Sequence, residues 1–354
     1  MTKSVNCGGI QIGGGAPISI QSMTNVDTRD TDALVKQIIE LEEVGCEIVR
    51  CAIPDNAAAE SFAKAKKLVK VPLVADIHFD HKLALAAIEA GADKIRINPG
   101  NIGSVENVKK VVDAAKERNI PIRVGVNSGS LEKNLIAKYG GVTAEALAES
   151  GANTLKFIEN LGYDQLVVSI KSSNVKMNYD AHMILREKTD YPIHIGITES
   201  GTPKNGELKS SIGIGSLLLA GVGDTMRVSL TDNPVKEVIL ARRILETVGL
   251  RERAIEVVSC PTCGRTEIDL ISLANEAETR LEPLKQERAK LGLKPLKIAV
   301  MGCAVNGPGE SREADYGIAG GKGEGLVFAH GEIIEKVPED KLIDRLIEIV
   351  KKDR

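Results

Sequence analysis

Aromatic residues are scarce in this chain, which has no tryptophan, five tyrosines and four phenylalanines among 354 residues. The core must therefore be built mainly from aliphatic side chains. Proteins that bind single-stranded nucleic acid stack bases on aromatic rings, so the scarcity argues against that class. Positive charge is not in excess either, because 46 Lys and Arg face 49 Asp and Glu, for a formal net charge of −3. Neither nucleic acid nor an anionic membrane is an expected partner.

The chain also lacks any apolar run long enough to span a bilayer. Its first fifteen residues have one lysine and no apolar segment of the kind found in secretory signals. We therefore expect a cytoplasmic protein. Hydrophobic residues make up 43% and charged residues 27% of the chain, which is typical of globular proteins. In a reducing compartment the six cysteines suggest metal binding, catalysis or buried thiols before disulfides.

Short β-branched runs alternate with longer amphipathic segments through the first 250 residues. The segment 31–45, for example, has apolar residues at the i, i+3, i+4 and i+7 spacing of a helix. Eight strands are predicted, at 18–24, 47–53, 72–78, 94–98, 121–127, 165–171, 192–198 and 225–231. Eight β/α units favour a TIM (β/α)8 barrel over residues 1–250. A doubly wound sheet is the alternative, but no topological switch point is evident. The intervening helices argue against antiparallel strands with one solvated face.

Polar residues fall on one face of the predicted strands. Arg123 and Asn127, for example, share a face that opposes Val124 and Val126. Because the apolar face must meet the helices, the polar face is predicted to point into the barrel, toward the strand ends where barrel active sites lie. The positions on this face are Gln21, Arg50, Asp76, His78, Arg96, Asn98, Arg123, Gly125, Asn127, Ser169, Lys171, His194, Gly196, Thr198, Arg227 and Ser229.

Five cations on this face are predicted to converge at the barrel mouth. They are Arg50, Arg96, Arg123, Lys171 and Arg227. Without an anion they would repel one another, and guanidinium groups match phosphate oxygens. The loops at 98–101 and 127–130 are expected to open helices whose free N–H groups also bind phosphate. A diphosphate substrate is therefore predicted, and the alternative is that each arginine pairs with an internal carboxylate such as Asp76.

Two other groups of polar residues at the mouth have weaker signals. Glu199, just past the seventh strand, is a candidate general acid or base, although a carboxylate beside arginines could equally be structural. Asp76, His78, Asp80 and His81 could bind a metal, but capping and hydrogen bonding are the favoured interpretation.

The alternating pattern changes after about residue 250. Residues 251–354 predict a small second domain with a cysteine-rich turn, a long charged helix at 267–290, a strand at 297–303 and a glycine-rich loop. Two short strands at 317–321 and 325–331 and an amphipathic helix at 338–352 complete it. The segment 320–325 lacks the Ser or Thr of a phosphate-binding P-loop.

Three cysteines in this second domain form the sharpest signal. Cys260 and Cys263 are separated by two residues, and Cys303 lies in a glycine-rich segment. Three thiolates need a fourth ligand, for which Glu310 is the nearer candidate and His330 the second. A labile fourth ligand suits a catalytic cluster, because one iron can then open to substrate. A structural zinc site and a redox-active cysteine pair are the alternatives.

Ten motifs together resemble the bacterial 4-hydroxy-3-methylbut-2-en-1-yl diphosphate synthase family nearly end to end. They are QSMTN (21–25), VRCAIP (49–54), ADIHFD (75–80), RINPGN (96–101), RVGVNSGSL (123–131), SIKSS (169–173), HIGITESG (194–201), RVSLT (227–231), CPTCGR (260–265) and GCAVNGPGE (302–310). Val26 departs from the threonine found there in many relatives and bears on no site residue.

The resemblance implies a TIM (β/α)8 barrel followed by a small α/β iron–sulfur domain. It implies reductive opening and dehydration of 2-C-methyl-D-erythritol 2,4-cyclodiphosphate to 4-hydroxy-3-methylbut-2-enyl diphosphate, in the non-mevalonate isoprenoid pathway, with two electrons. Flavodoxin or ferredoxin is the implied electron donor. A head-to-tail homodimer is also implied, in which the cluster domain of one chain caps the barrel of the second.

The resemblance also assigns residues. It implies that a [4Fe–4S] cluster is held by Cys260, Cys263, Cys303 and Glu310. Asn127, His194, Glu199 and Asn306 match active-site positions, with Glu199 expected to donate a proton to the departing hydroxyl. The implied diphosphate ligands are Arg50, Arg96, Arg123, Lys171, Arg227 and Ser229. The alternatives kept open are a pterin-binding-type barrel transferase with a zinc domain and a non-enzymatic iron–sulfur sensor.

Overall fold

The computed structural model describes residues 1–303 and 313–353. The chain divides into two compact units, Met1–Leu250 and Arg251–Arg354. Two of the residues expected in the site, Asn306 and Glu310, lie outside the described residues. Within the described ranges, no helix has both the length and the apolar character needed to cross a bilayer.

The first unit confirms the predicted barrel. A hairpin of β1 (Ser4–Cys7) and β2 (Ile10–Gly13) precedes it. The barrel strands are β3 (Ser19–Met23), β4 (Ile48–Ala52), β5 (Leu73–Asp76), β6 (Lys94–Ile97), β7 (Ile122–Asn127), β8 (Leu166–Lys171), β9 (His194–Gly196) and β10 (Thr225–Arg227). They pair in the order β8-β7-β6-β5-β4-β3-β10-β9. A parallel bridge between Val168 and Ile193 joins β8 to β9 and closes the ring.

Nine helices in the described part of this unit surround the strands. They are α1 (Thr31–Glu43), α2 (Asn56–Leu68), α3 (His81–Glu89), α4 (Val105–Glu117), α5 (Lys133–Tyr139), α6 (Ala144–Asn160), α7 (Val175–Lys188), α8 (Pro203–Leu219) and α9 (Pro234–Thr247). Side chains before the first turn fix several of the starts. Asp30, Asp55 and Asp80, for example, accept backbone N–H groups of α1, α2 and α3, which satisfies donors that have no partner inside a helix.

The alternation of residues along each strand decides what faces the helices. Ile95 and Ile97 of β6 belong to the large apolar core between strands and helices, so the residues between them face the barrel axis. The amino-terminal hairpin covers the opposite end of the barrel from the mouth. Its Val5, Cys7 and Ile12 pack against strand residues in a separate small apolar cluster, which closes that end and leaves the carboxyl ends of the strands for a site.

The second unit contains a five-stranded sheet in the order β11-β12-β13-β14-β15. The first three strands are parallel and the last two antiparallel. The elements are β11 (Ile255–Ser259), α10 (Leu270–Leu291), β12 (Leu296–Met301), β13 (Tyr316–Gly320), β14 (Glu324–Ala329), β15 (Glu332–Pro338) and α11 (Leu342–Lys352). Leu273 and Leu281 of α10 and Leu346 of α11 pack with strand residues in one core cluster.

Two strands of this sheet, β11 and β15, are not predicted from the sequence. The sequence pattern places residues 255–259 in the cysteine-rich turn, but in the structure they form β11 and pair along β12. The final helix was predicted to begin at residue 338, whereas β15 extends to Pro338 and α11 begins at Leu342. Five of the seven β15 residues are exposed, so this edge strand has no buried face to produce a clear alternating pattern.

Candidate active site

A cavity of about 250 Å³ opens among the carboxyl ends of the barrel strands. Every strand, or the loop that follows it, contributes a wall residue. The wall comprises Met23, Arg50, Asp76, His78, Arg96, Arg123, Gly125, Asn127, Ser169, Lys171, Thr198, Arg227 and Ser229. The structure thus brings together, from five strands and the loop after one of them, seven of the residues that the sequence nominated for substrate binding: Arg50, Arg96, Arg123, Asn127, Lys171, Arg227 and Ser229.

Two nominated residues in the described part of the barrel lie elsewhere. His194 is fully buried and lies outside the cavity wall. Burial and the neighbouring Arg123 and Lys171 hold the pKa of its ring well below the ordinary value, so the ring is neutral. Glu199 is exposed and lies one residue beyond the wall residue Thr198.

Asp76 is one of two buried carboxylates that balance the cations. Its oxygens lie 3.7 Å from Nε of Arg50 and 3.3 Å from Nη1 of Arg96. His78 is a third neighbour, with Nε2 3.5 Å from Oδ2. Burial alone would raise the pKa of Asp76, but Arg50, the hydrogen bond with His78 and Arg96 outweigh it and lower the pKa overall. The carboxylate is therefore ionised and orients two arginines from the cavity wall.

Glu237, at the start of α9, is the second buried carboxylate. It accepts hydrogen bonds at 3.3 Å from Nε and Nη2 of Arg227. The hydroxyl of Ser22 and the backbone N–H of Leu230 also donate to it. This residue is 3% exposed and fixes the guanidinium of Arg227 from behind. The sequence does not identify Glu237, because strand alternation gives no information about which helix residue reaches inward.

Met23, at the end of β3, was also missed. Its sulfur accepts from Nε and Nη2 of Arg50 at 3.2 and 2.9 Å and from Nη1 of Arg227 at 3.7 Å. A thioether is only a weak acceptor. It therefore holds two guanidinium groups side by side without neutralising either. Its position on the inward face of β3, two residues after Gln21, is the signal that could have identified it.

Arg123 and Lys171 have no carboxylate partner among the described residues. Their exposed fractions are 2% and 8%. Burial, followed by the surrounding arginines, lowers the pKa of both well below the ordinary values. A guanidinium keeps its proton at neutral pH nonetheless. The two carboxylates thus leave part of the positive charge unbalanced, and the alternative in which every arginine pairs internally is only partly realised.

Two glycines on the inward face make room for these cations. A β-carbon at Gly125 would lie 3.0 Å from Nε of Arg96, and one at Gly196 would lie 2.8 Å from Nζ of Lys171 and 2.6 Å from the carbonyl oxygen of Arg227. The sequence placed both glycines on the polar face. Their role as space for a neighbouring strand's cation is visible only in three dimensions.

The backbone of Glu199 adopts a left-handed conformation, with φ of 52°. A non-glycine residue in this region costs about 1–3 kcal/mol and persists where the surrounding structure enforces it. The adjacent Ser200 hydroxyl donates to the carbonyl oxygen of Ser229, and the Thr231 N–H donates to the carbonyl oxygen of Gly201. The loops after β9 and β10 are thus tied together, which holds Glu199 at the rim of the mouth.

Two sequence expectations about the mouth loops need correction. The segments 98–101 and 127–130 form one-turn 3-10 helices, Pro99–Asn101 and Ser128–Ser130, while the next α-helices begin at Val105 and Lys133. The side chain of Asn98 already accepts the N–H of Gly100, so that donor is occupied. We therefore assign no phosphate-binding helix start to these loops.

The possible metal site at residues 76–81 is not assembled. Across residues 1–303 and 313–353, no three His, Cys, Asp or Glu side chains are gathered closely enough to hold a metal ion. Asp80 instead caps α3 by accepting the N–H of Lys82, and Asp76 orients arginines. Capping and hydrogen bonding, the favoured interpretation, account for these residues.

In the second unit, two of the nominated cysteines lie at the carboxyl edge of the parallel strands. Cys260 follows β11 directly, and Cys303 lies two residues past the end of β12. The Gly302 N–H donates to the sulfur of Cys260 at 3.3 Å, and the Glu267 N–H donates to the Gly302 carbonyl. Backbone around Gly302 therefore holds the segment that begins at Cys260 against the segment that contains Cys303.

Cys263 is the exposed member of the nominated set. Its N–H donates to the hydroxyl of Thr266, whose N–H donates back to the Cys263 carbonyl. A hydrogen bond from the Arg265 backbone lowers the pKa of the Cys263 thiol, which favours the thiolate that metal binding requires. The nominated fourth ligand, Glu310, lies outside the described residues.

His330, the second candidate for fourth ligand, is at the other end of the sheet. It follows Ala329, which pairs with Tyr316, and Tyr316 pairs with Ile298 near the start of β12. Cys303 lies five residues further along the chain from Ile298, or about 16 Å for an extended strand. The ring of His330 packs beside Tyr316 instead, with centroids 5.2 Å apart. This histidine is not a partner of Cys303.

The three remaining cysteines are buried in the barrel unit. Burial raises the pKa of Cys46 and Cys51 to about 12 and raises that of Cys7 as well. Such thiols are protonated and behave as small apolar side chains. All six cysteines are free, and the cysteine whose thiol pKa is lowered, Cys263, lies in the second unit.

Comparison with protein families gives two matches that together cover most of the chain. Residues 2–242 match the GcpE TIM-barrel domain, and residues 256–352 match the GcpE protein C-terminal domain. Curated relatives are similar along nearly their whole length. A protein of Caldanaerobacter subterraneus subsp. tengcongensis is 54% identical over 352 residues, which is 99% of this chain and 97% of the relative. One from Clostridium acetobutylicum is 55% identical over 346 residues, 98% of this chain and 97% of the relative. Both carry the name 4-hydroxy-3-methylbut-2-en-1-yl diphosphate synthase (flavodoxin).

Solved structures share the barrel fold with the first unit. A type I 3-dehydroquinate dehydratase from Clostridium difficile superposes with a TM-score of 0.52 at 14% identity, covering 70% of this chain and 97% of that one. A dihydropteroate synthase from Yersinia pestis gives 0.51 at 13% identity, covering 71% and 100%. At such identities the likeness concerns the fold alone.

Proposed function

The chain belongs to the GcpE family, and on that premise we propose that it is an iron–sulfur oxidoreductase that converts 2-C-methyl-D-erythritol 2,4-cyclodiphosphate into 4-hydroxy-3-methylbut-2-enyl diphosphate. One observation carries the proposal: five cations, three of them buried and two half-buried, line a single cavity with two carboxylates to balance them. The remaining charge calls for an anion, and a diphosphate supplies oxygens for several guanidinium groups at once. The pterin-transferase and sensor alternatives have no comparable support.

The cations are proposed to hold the two phosphates throughout the reaction. Arg123 and Lys171 have no carboxylate of their own in the described structure, so they are the first to bind phosphate oxygen. Arg50, Arg96 and Arg227 are preset by Asp76 and Glu237. Asn127 and Ser229 add neutral polar groups to the wall, and the carbon skeleton is thereby directed toward the rim.

The overall conversion opens the cyclic diphosphate at one carbon–oxygen bond, releases a hydroxyl as water and forms a carbon–carbon double bond. It consumes two electrons and two protons. We assign one proton donation, to the departing hydroxyl, to the Glu199 carboxyl. Its left-handed backbone at the rim of the mouth and the tie between its loop and the loop after β10 support this role, because both fix the backbone of Glu199 one residue beyond the wall residue Thr198. His194, which is fully buried and neutral, and Asn306 are assigned to the active site by resemblance alone.

Cys260, Cys263 and Cys303 are proposed to hold a [4Fe–4S] cluster, with Glu310 as the exchangeable fourth ligand. The donor types suit such a cluster, because Cys260 already accepts a backbone N–H and the pKa of Cys263 is lowered, while the three sulfurs are not gathered around one point in the described structure. The cluster would supply the two electrons. The lowered pKa and the protonated barrel thiols both favour these cysteines over Cys7, Cys46 and Cys51.

The proposed function also requires an electron donor and an assembly in which a barrel and a cluster domain meet. The relatives' names specify flavodoxin, which we propose as the physiological donor, with ferredoxin as the other small carrier. The cation cavity and the cysteines lie in different units, so one barrel must meet one cluster domain. We propose a homodimer in which the partner chain supplies that domain, acting in the cytoplasm, where free cysteines stay reduced.

Anaerobic turnover tests the function directly. The purified holoprotein is incubated with the cyclic diphosphate and an artificial one-electron donor, and the product is identified by mass spectrometry. The linear diphosphate is expected, and its formation should stop when the donor is omitted. Unchanged substrate with a fully loaded cluster would contradict the proposed activity.

A further inference from the structure

Beneath the cavity the barrel contains three polar side chains that neither the proposed chemistry nor the cavity wall explains. Gln21, Lys94 and His194, on β3, β6 and β9, are at most 1% exposed. Their neighbours Ile20, Ile95 and Ile195 belong to the core between strands and helices, so these three face the barrel axis. We call Gln21, Lys94 and His194 the polar layer.

This polar layer occupies positions where a barrel interior is ordinarily filled by Val, Ile and Leu. Within the described residues, the side-chain nitrogens and oxygens of all three have no hydrogen-bond partner. An unpaired buried polar group lowers the stability of the folded state, and a charged one lowers it more. Apolar side chains here would therefore make the barrel more stable, which indicates that the polar layer is kept for another purpose.

Lys94 is the charged member of the polar layer. It lies two residues before Arg96 on β6, so it is one layer, or about 6.6 Å along the strand, below the cavity wall. Val74, its neighbour in register, belongs to the apolar cluster under the barrel. The ammonium is thus enclosed between apolar residues below and the cations of the cavity above.

The charged neighbours of Lys94 do not neutralise it. Arg50 and Arg123 are positive, and His194 is neutral. The carboxylate of Asp93 is engaged by Lys66 at 2.5 Å and by the N–H of Leu73 at 2.7 Å. The Cys7 thiol has a raised pKa and is protonated. The ammonium therefore adds to the positive potential of the cavity.

We propose that Lys94 is a further determinant of anion binding, which strengthens the hold on the diphosphate from one layer below the residues that touch it. This inference rests on the proposed function of the cavity. Burial, together with Arg123 and Arg50, lowers the pKa of Lys94 to about 8. The negative charge of a bound diphosphate would stabilise the protonated ammonium and so counteract the effects of burial and of the two arginines. Binding should therefore raise the pKa of Lys94 and be accompanied by proton uptake near pH 8.

The test compares Lys94→Met with the wild-type holoprotein and with Lys36→Met, which removes an exposed lysine from α1. Binding of inorganic pyrophosphate is measured by isothermal titration calorimetry at pH 8, in two buffers of different ionisation enthalpy. Lys94→Met should bind at least tenfold more weakly and take up fewer protons, while its Tm rises because an unpaired buried charge is gone. Lys36→Met should match the wild type in all three.

The possible results distinguish a failure of the Lys94 role from a failure of the anion-site assignment. The role of Lys94 would be overturned if Lys94→Met bound pyrophosphate within twofold of the wild-type affinity. It would also be overturned if binding weakened while the Tm fell and proton uptake stayed unchanged. Either result would leave the cavity assignment intact. Should Lys94→Met fail to fold, Lys94→Gln undergoes the same titrations with the same expected losses of affinity and proton uptake. No binding of pyrophosphate by the wild type would instead overturn the anion site and the role of Lys94 with it.

Discussion

The ammonium of Lys171 lies against the backbone of Gly196 on the adjacent strand. A β-carbon at Gly196 would be 2.8 Å from Nζ of Lys171, closer than a methyl group and an ammonium can pack. The absence of a side chain on β9 thus decides where a cation of β8 sits. The position of a cation in the cavity wall can therefore depend on a residue that has no functional group.

We predict that Gly196→Ala weakens binding of inorganic pyrophosphate by roughly tenfold or more, since losing one charge-assisted hydrogen bond costs about 1.5–3 kcal/mol. The new methyl group also meets the Arg227 carbonyl at 2.6 Å, so the Tm should fall. Gly215→Ala is the matched control, because nothing lies within 4 Å of a β-carbon at that position. Calorimetric titration that gives equal affinity for both variants and the wild type would refute the packing argument.

Removal of the Lys171 charge should raise KM about 10- to 100-fold with a smaller change in kcat, because its phosphate contact is made in both ground and transition states. Lys171→Met is compared with Lys176→Met, whose side chain is 81% exposed.

The same lysine predicts the direction of pH dependence. Burial and the nearby arginines lower its pKa below the ordinary 10.5, and the anion binds the protonated form. Pyrophosphate affinity of the wild type should therefore fall as the pH rises, beginning below 10.5, and this fall should be shallower in Lys171→Met. Parallel pH profiles for the two proteins would show that Lys171 is not the titrating group.

Glu199→Gln should lower kcat by about 10²–10⁴-fold while substrate affinity stays nearly unchanged, since the amide cannot donate an acidic proton at the moment of bond cleavage. Steady-state kinetics and an independent binding titration separate the two quantities. Glu207→Gln, an exposed carboxylate on α8, serves as the control. Equal losses of binding and turnover would mark Glu199 as a substrate ligand or a structural residue.

The cysteine assignment predicts a sharp contrast between the two units. Cys260→Ser, Cys263→Ser and Cys303→Ser should each lose the visible absorption of the cluster together with activity, while Glu310→Ala should retain a more labile cluster. Cys46→Ser is the control, because Cys46 is buried in the barrel and donates only to backbone carbonyls. Iron content and absorbance after anaerobic purification provide the readout. Full activity in any of the first three variants would remove that cysteine from the ligand set.

Strand alternation predicted the barrel and most of its cavity wall from sequence alone. Arg96, Arg123 and Lys171 could be placed at the mouth, because residue spacing fixes which face a strand residue occupies. Glu237 and the spacing role of Gly196 could not be found this way, since they depend on contacts between elements distant in sequence. The missed strand β15 is mostly exposed and therefore has no burial pattern to read.

For the polar layer, the sequence could predict the orientation of a side chain but not how deeply it is buried. Lys94 shares the inward face of β6 with Arg96, so its orientation could be predicted from the sequence. Its depth could not, because only the closed barrel shows that the ammonium is fully buried and lies beyond the cavity wall.

Counting the electrons consumed against the product formed tests the proposed reductive ring opening. The holoprotein is supplied anaerobically with cyclic diphosphate and a measured limiting amount of one-electron donor, and the phosphorus species are quantified by ³¹P NMR. We expect one molecule of linear diphosphate for every two electrons consumed. Conversion without donor, or donor oxidation that leaves the cyclic diphosphate intact, would contradict it.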